Sequence, residues 1–268
     1  MRGACGPERE VRVERKRVIV TGGASGIGQA AAETLRVADL EVTVLDRRAP
    51  AGPSQGFVEC DLADPRSIDA AVERLGDGWD ALCNIAGIPG TAPAEQVIAV
   101  NFLGLRHLTE AMLPRLTAGG SIVNVASTAG ALWQQNLPAV QGLVGTADFA
   151  AGLDWIRSRT DGYPAYNLSK EAVIVYSTAL AGRARLGDVR ANVVSPGPVE
   201  TPILADFEDS MGKALLDMQR DMVGRHGRVS DIAPVIEFLV GDASRWMNGA
   251  NLIVDGGAFA MLMSGGGL

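Results

Sequence analysis

The sequence is poor in the side chains that most often carry chemistry. Its 268 residues include three cysteines, two histidines and three tyrosines. Cys5, Cys60 and Cys83 are far apart, and His107 and His226 read as a helix-face and a loop histidine. The closely spaced ligands of a zinc site are missing, so no metal site is expected. Three scattered cysteines make a poor disulfide framework, and no charged, apolar, small-residue leader opens the chain; a cytoplasmic location is expected. No apolar run reaches the roughly 18 residues of a membrane-spanning helix, so no membrane partner is expected either. Basic residues are outnumbered, 24 Lys plus Arg against 31 Asp plus Glu, and the net charge of −7 argues against a nucleic-acid partner. Glycine, in contrast, is abundant at 33 residues, without the three-residue period of collagen. With 47% hydrophobic and 21% charged residues the chain can bury one large α/β core, which excludes disorder and coiled coil.

Residues 1–16 carry Arg2, Glu8, Arg9, Glu10, Arg12, Glu14, Arg15 and Lys16 and read as a charged, flexible tail before a single domain over 17–268. Within that domain strand and helix alternate. Apolar, β-branched runs at Arg17–Thr21, Glu41–Leu45, Phe57–Cys60, Asp80–Asn84, Ser121–Ala126, Val189–Ser195 and Asn251–Val254 predict seven strands. Helical stretches at Gly28–Val37, Pro93–Leu116 and Tyr163–Leu186 separate them. Strands apolar on both faces imply a parallel sheet, doubly wound with helices on both sides. The rhythm breaks at 131–162, where Phe149, Leu153 and Ile156 at helical spacing, with Thr146 as cap, predict a short amphipathic helix.

The first strand runs into Thr21-Gly22-Gly23-Ala24-Ser25-Gly26-Ile27-Gly28, small residues that open directly into a helix. Gly22 can turn the chain, Gly26 can admit a pyrophosphate to the backbone, and Gly28 can let helix pack on strand, with unpaired N–H groups at the helix start. Asp46 ends the second strand, where a carboxylate suits the hydroxyls of an adenosine ribose and repels a 2′-phosphate, which favours NAD over NADP. Arg47 and Arg48 weigh the other way, since arginine can accept that phosphate. A solvated strand-end acid would look the same.

Of three tyrosines and three lysines, only Tyr166 has a lysine four residues on, Lys170. On a helix the two share a face. The ammonium should favour the phenolate and lower a pKa of about 10 by roughly one to three units, towards acid–base use near neutrality. A surface Tyr–Lys pair on an amphipathic helix is the plainer alternative.

With these motifs in this order, the sequence resembles the short-chain dehydrogenase/reductase family from Val18 to about Ala258. The matching segments are Thr21–Gly28, Asp61-Leu62, Asn84-Ile85-Ala86-Gly87, Asn101, Ser121–Ser127, Tyr166-Asn167-Leu168-Ser169-Lys170, Ser195–Pro202 and the closing Asp255-Gly256-Gly257. The resemblance implies a Rossmann fold that uses NAD. It implies Tyr166 as general acid–base, Ser127 polarising the substrate oxygen, Lys170 holding the nicotinamide ribose, and Asn101 anchoring a relay water. Gly22, Ser25, Gly26, Ile27 and Gly28 would cradle phosphate, with Asp46 and Arg47 at the ribose and Asp61 and Leu62 flanking the adenine. Asn84, Ala86, Gly87, Pro196, Gly197, Val199 and Thr201 would line the rest of the cofactor, the last two at the carboxamide. Asn84 and Gly87 have a plainer use in securing a strand end, and Ser127 in terminating one. Cys83 stands where the family often has a second asparagine.

Ser127 and Tyr166 are further apart in sequence than is usual in the family, which marks 131–162 as an insertion. Its Trp133, Leu137, Val140, Leu143, Phe149, Leu153, Trp155 and Ile156 could roof a pocket for a bulky ring or form a subunit contact. This resembles the bacterial 3α-hydroxysteroid dehydrogenase/carbonyl reductase branch with its coniferyl-alcohol dehydrogenase-like members. The segment 202–224, with Phe207, Met211, Leu215, Met218 and Met222, would be the opposite wall, or else core. Apolar Phe259–Met263 reads as core or interface. The expectation is an NAD(H)-dependent enzyme that moves hydride between the nicotinamide and an alcohol or carbonyl substrate, as a homodimer or homotetramer. The alternatives are a sugar-nucleotide epimerase or dehydratase, and a non-catalytic NAD(H)-binding redox sensor.

Overall fold

Strand residues with both faces apolar need cover on both sides, and the chain supplies it by alternating strand with helix. The computed structural model describes residues 15–51, 56–183 and 188–265. Most of the tail expected over 1–16 lies outside the described residues; Arg15 pairs with Asp39 and Lys16 with Asp242. The first half runs β1 (Arg17–Thr21), α1 (Gly26–Val37), β2 (Glu41–Asp46), β3 (Phe57–Glu59), α2 (Pro65–Leu75) and β4 (Trp79–Asn84). It continues with α3 (Ala94–Ile98), a π-helical turn (Ala99–Gly104), α4 (Leu105–Met112) and β5 (Leu116–Val125). After 3₁₀ turns at Thr128–Gly130 and Trp133–Asn136 come α5 (Leu137–Val144), α6 (Phe149–Arg157), α7 (Ala165–Ala181), β6 (Arg190–Pro196) and β7 (Val199–Glu200). The chain ends with α8 (Leu204–Phe207), α9 (Lys213–Val223), β8 (Gly227–Arg228), α10 (Val229–Val240), β9 (Asn251–Val254) and α11 (Ala258–Met263).

Seven strands form one parallel sheet in the order β3-β2-β1-β4-β5-β6-β9, and β7 pairs with β8 apart from it. Within β1 the side chains alternate between two cores. Val18 and Val20 pack with Val44, Cys83 and Ile236, on the side of α1 and α10. Ile19 packs with Leu82, Ile122, Phe102 and Leu168, on the side of α4 and α7. Each such fully buried aliphatic side chain stabilises the fold by about 1.5–3 kcal/mol. The strand order reverses beside β1, and the carboxyl ends of β1 and β4 flank the crevice where doubly wound sheets bind ligands.

Three expectations are corrected. The helix expected over Pro93–Leu116 is interrupted by the π turn, where Gly104 packs so tightly on Leu62 that a Cβ would lie 2.2 Å from its carbonyl oxygen. The helix expected from Tyr163 starts at Ala165 because Pro164 occupies its cap, and residues 184–187 beyond it lie outside the described residues. The insertion holds two helices, and Thr146 is not the cap: its hydroxyl donates to Leu143 O as α5 ends, while the Asp148 carboxylate accepts from Ala151 N–H at 2.8 Å to start α6.

Candidate active site

The Thr21 hydroxyl at the end of β1 accepts from the N–H groups of Ile85 and Ala86 at 2.9 and 3.0 Å, which ties β1 to the chain leaving β4. Beyond it Gly22 (φ +71°) and Gly26 (φ +55°) take left-handed conformations that side chains disfavour. A Cβ on Gly22 would lie 2.8 Å from Ala86 Cα, and one on Gly28 would lie 2.2 Å from the Gly22 carbonyl oxygen. Gly22 and Gly28 thus let the turn pack against backbone where a Cβ would collide, while Gly26 leaves open the side that faces Thr201. No side chain caps the first turn of α1, since Ser25 makes no cap bond. Its N–H groups and positive dipole end suit a phosphate. The Asp46 carboxylate accepts from Ala24 N–H at 3.1 Å and Arg48 N–H at 3.2 Å, which fixes it beside the turn.

A cavity of about 320 Å³ extends from this turn along the carboxyl ends of the strands. Gly22, Ser25, Gly26, Ile27 and Gly28 line it, as do Asp46, Arg47, Asp61, Leu62, Ala86 and Gly87. Ser127, Tyr166 and Lys170 join them with Pro196, Gly197, Val199 and Thr201. Thr201 faces the glycine turn across the cavity, with its Cγ2 3.5 Å from where a Gly26 Cβ would stand. Gly197 allows the chain after β6 to touch Asp255, whose carboxylate accepts from Gly257 and Phe259 N–H at the start of α11.

Two residues chosen from the sequence do not line the cavity. Asn84 is buried beneath the cavity rather than lining it. Its amide donates to Thr109 Oγ1 at 2.9 Å and to Asn124 Oδ1 at 2.8 Å, which secures β4 to β5 and α4. Asn101, in the π turn, lies behind the wall: its Oδ1 accepts from Ile88 N–H at 2.8 Å, and its Nδ2 donates to Ile88 O and Ser169 Oγ. Gly87 occupies the space between them, since a Cβ there would sit 3.4 Å from both Asn101 Oδ1 and Lys170 Nζ. π turns recur at functional sites because they redirect side chains of this kind.

Tyr166 and Lys170 project from one face of α7. The Ser127 hydroxyl, just past β5, accepts from Ala129 N–H at 3.1 Å and lines the cavity with the Tyr166 phenol, whose ionised form it favours. Lys170 Nζ donates to Val125 O at 3.1 Å and lies 5.7 Å from the Tyr166 ring centroid. Gly130 permits this approach, since a Cβ would come 2.7 Å from the Lys170 carbonyl carbon. Burial pushes the Tyr166 phenol up to about 12, with the Ser127 hydroxyl acting in the opposite direction. Burial likewise pulls the Lys170 ammonium down to about 8. The expectation that Lys170 depresses Tyr166 is therefore corrected: both groups are desolvated, and burial sets the direction of each shift. At neutral pH the phenol is a proton donor.

The apolar wall also differs from expectation. Phe207 packs edge-on against Tyr166 with centroids 5.1 Å apart, and Met211 lines the cavity. Leu215 and Met218 face away, 38% and 41% exposed, and the phase of α9 turns Leu216 and Gln219 inward instead. No residue of the insertion lines the cavity. Val140, Leu143, Phe149 and Ile156 are buried in the α4/α7 core, so the insertion does not roof this cavity. Arg106, which drew no attention as a helix arginine, is buried and donates to the carbonyls of Val144, Thr146 and Asp148. Ile88, Gln96, Val100 and Cys60 also line the cavity without a motif to mark them; Cys60 is buried and its thiol is pushed up to about 11. Among the described residues no cluster of His, Cys, Asp or Glu could hold a metal, and no helix is long and apolar enough to cross a membrane.

The glycine cradle and the Ser–Tyr–Lys group define a dinucleotide-dependent oxidoreductase type of site. Residues 16–139 match the family described as short chain dehydrogenase, and residues 154–258 match the one described as enoyl-(acyl carrier protein) reductase. The chain is 40% identical to coniferyl-alcohol dehydrogenase of Pseudomonas sp. (strain HR199 / DSM 7063), over 92% of this chain and 98% of that one. It is 28% identical to the 3-alpha-hydroxysteroid dehydrogenase/carbonyl reductase of Comamonas testosteroni, over 91% and 97%. The crystal structure of the 3-alpha-hydroxysteroid dehydrogenase from Pseudomonas sp. B-0831 complexed with NADH superposes with a TM-score of 0.76 at 31% identity, covering 94% of this chain and all of that one. The chain belongs to the short-chain dehydrogenase/reductase family and is an oxidoreductase. These matches do not favour the epimerase or sensor alternatives.

Proposed function

We propose that the chain interconverts an alcohol and its carbonyl compound with NAD(H), on an apolar, ring-bearing substrate of the hydroxysteroid or aryl-alcohol class. The observation that carries this reading is the meeting of Ser127, Tyr166 and Lys170 in the same cavity as the glycine cradle. NAD⁺, when bound, supplies the hydride acceptor, so that alcohol and NAD⁺ become carbonyl compound, NADH and a proton. Gly22 to Gly28 would hold its pyrophosphate, Asp46 its adenosine ribose, Asp61 and Leu62 its adenine, and Val199 and Thr201 its carboxamide. Lys170 would hold the nicotinamide ribose. In oxidation Tyr166 takes the hydroxyl proton of the substrate; in reduction it returns one to the carbonyl oxygen. Ser127 donates a hydrogen bond to the substrate oxygen as charge develops there, a contribution of a few kcal/mol. Asn101 fixes the loop at Ile88 and through it the space beside Lys170.

The substrate class is supported by the apolar side of the cavity, with Ile88, Ile203, Phe207, Met211 and Leu216, and by the names of the relatives. Assembly as a homodimer or homotetramer belongs to this reading and is supported by apolar surface at Trp246 and Met263, 83% and 61% exposed. The test is the initial rate of NAD⁺ and NADP⁺ reduction across 3α-hydroxysteroids, coniferyl and related aryl alcohols, cyclic terpenoid alcohols and small diols. One ring-bearing class turned over with NAD⁺ is expected. Turnover of small diols alone, or preference for NADP⁺, would overturn the substrate or the cofactor half respectively.

A further inference from the structure

Glu171 follows Lys170 on α7 but points away from the cavity, into the protein. It is 1% exposed, and its two oxygens are each taken: Oε2 accepts from Asn136 Nδ2 and Oε1 from the Tyr163 hydroxyl, both at 2.7 Å. Among the described ion pairs Glu171 has none. A buried carboxylate held by neutral donors is a costly way to stabilise a fold, and an apolar side chain of similar size would do it more cheaply. Its partners give the reason. Asn136 lies shortly after Ser127, at the entry to the long segment that separates the two active-site residues in sequence. Tyr163 lies three residues before Tyr166, at its exit. Ser127 and Tyr166 therefore enter the site from the two ends of one excursion, and both ends meet on a single side chain. Arg106 holds the middle of the same excursion through three carbonyls.

We propose that Glu171 is a positioning residue, which ties both flanks of the 131–162 segment to the catalytic helix and so sets the placement of Ser127 against Tyr166. The proposal rests on the reading of Ser127 and Tyr166 as the reacting pair. Glu171 touches neither, and acts through the chain on each side of the insertion. The groups that face the Tyr166 ring are Lys170 from α7, Ser127 from the end of β5 and Phe207 from α8; Lys170 is the titratable one.

The experiment compares wild type, Glu171→Ala, Glu171→Gln and Tyr163→Phe in the full chain, by hydrogen exchange read by mass spectrometry and by the pH dependence of kcat for alcohol oxidation. Glu171→Ala is expected to speed exchange at both flanks, around 131–140 and 160–166, and to leave the sheet unchanged. Its kcat should fall about tenfold to a hundredfold, the scale of a small misplacement of reacting groups, with KM for NAD⁺ within about twofold. The rising limb of kcat should move to higher pH, because the Ser127 hydroxyl that favours the phenolate is displaced from it. Glu171→Gln keeps the length and one acceptor oxygen and should recover most of both effects. Tyr163→Phe loses one hydroxyl at a partly exposed position, and should show the same changes more weakly even if Glu171→Ala does not fold. Exchange that is unchanged or raised uniformly, a lower kcat with an unmoved limb, or a Gln variant no better than Ala would overturn the proposal. If wild type oxidises no alcohol, the reading of the pair fails; exchange alone then judges the tie, with flank-confined change supporting it and any other pattern overturning it.

Discussion

Tyr166 is a phenol surrounded by protein, and the direction of its shift has a kinetic consequence. Pushed up to about 12, it holds its proton at neutral pH and is ready to donate it, whereas oxidation needs the phenolate. The rate of alcohol oxidation is therefore expected to climb from pH 7 to pH 10 while carbonyl reduction does not, and a flat oxidation profile would contradict this. At the glycine turn, Gly22→Ala places a Cβ 2.8 Å from Ala86 Cα at a φ of +71°. It should cost about 1–3 kcal/mol of stability and weaken NADH binding, read by urea unfolding and fluorescence titration. Asp46→Ala removes the carboxylate that faces the ribose site, and should lower kcat/KM for NAD⁺ about tenfold or more and improve NADP⁺ relative to it. The Tyr–Lys pair and the glycine turn were legible in the sequence because their logic is local: four residues on a helix, or small residues where the backbone must turn left-handed. Asn84 was legible only as one of two uses, cofactor contact or securing a strand end, because which way a strand residue points depends on the register of its neighbours; it does the second. Leu216 and Gln219 were missed in favour of Leu215 and Met218 because hydrophobicity marks what could be buried and does not fix the helix phase.

The elements of the insertion carry the largest departure from the sequence reading. Apolar residues beside an active site suggest a lid, yet here they complete the α4/α7 core. The residue that decides this is Arg106, whose buried guanidinium satisfies carbonyls at the end of α5 and the start of α6. Arg106→Ala leaves those acceptors unpaired and should cost about 3 kcal/mol or more, seen as a lower urea midpoint with an unchanged slope. A midpoint equal to wild type would show that the insertion holds itself in place. Amphipathic spacing gave away α6, but α5 was hidden: Leu137–Val144 is short, contains Gly142, and is capped by no side chain. The π turn at Ala99–Gly104 could not be read from periodicity, and its Gly104 packs on Leu62, a residue distant in sequence.

For the whole molecule, the seven strand positions, their parallel pairing and the crevice beside β1 follow from alternation of apolar strand and helix, and the sequence contains that pattern nearly complete. Electrostatics is a property of the assembled fold instead. Lys170 has a folded value of about 8 against an ordinary 10.5. Between those values the unfolded chain keeps a proton that the folded chain has released, so this group's effect on stability improves as pH rises through the window and is worst below pH 8. Lys170→Met should therefore be more stable than wild type at pH 7, by roughly 3 kcal/mol at most, and the advantage should shrink towards pH 10. Tyr166 acts oppositely at higher pH, its contribution being present below about 10 and lost as pH climbs towards 12. An advantage that grows with pH would mean that Lys170 is not buried as a free ammonium. The central claim is that one cavity joins a dinucleotide cradle to a proton-transferring phenol, and Tyr166→Phe separates the two. With NAD⁺ and the best alcohol of the panel, the variant is expected to bind NADH with wild-type affinity while kcat falls beyond detection; near-normal turnover by that variant would contradict the account.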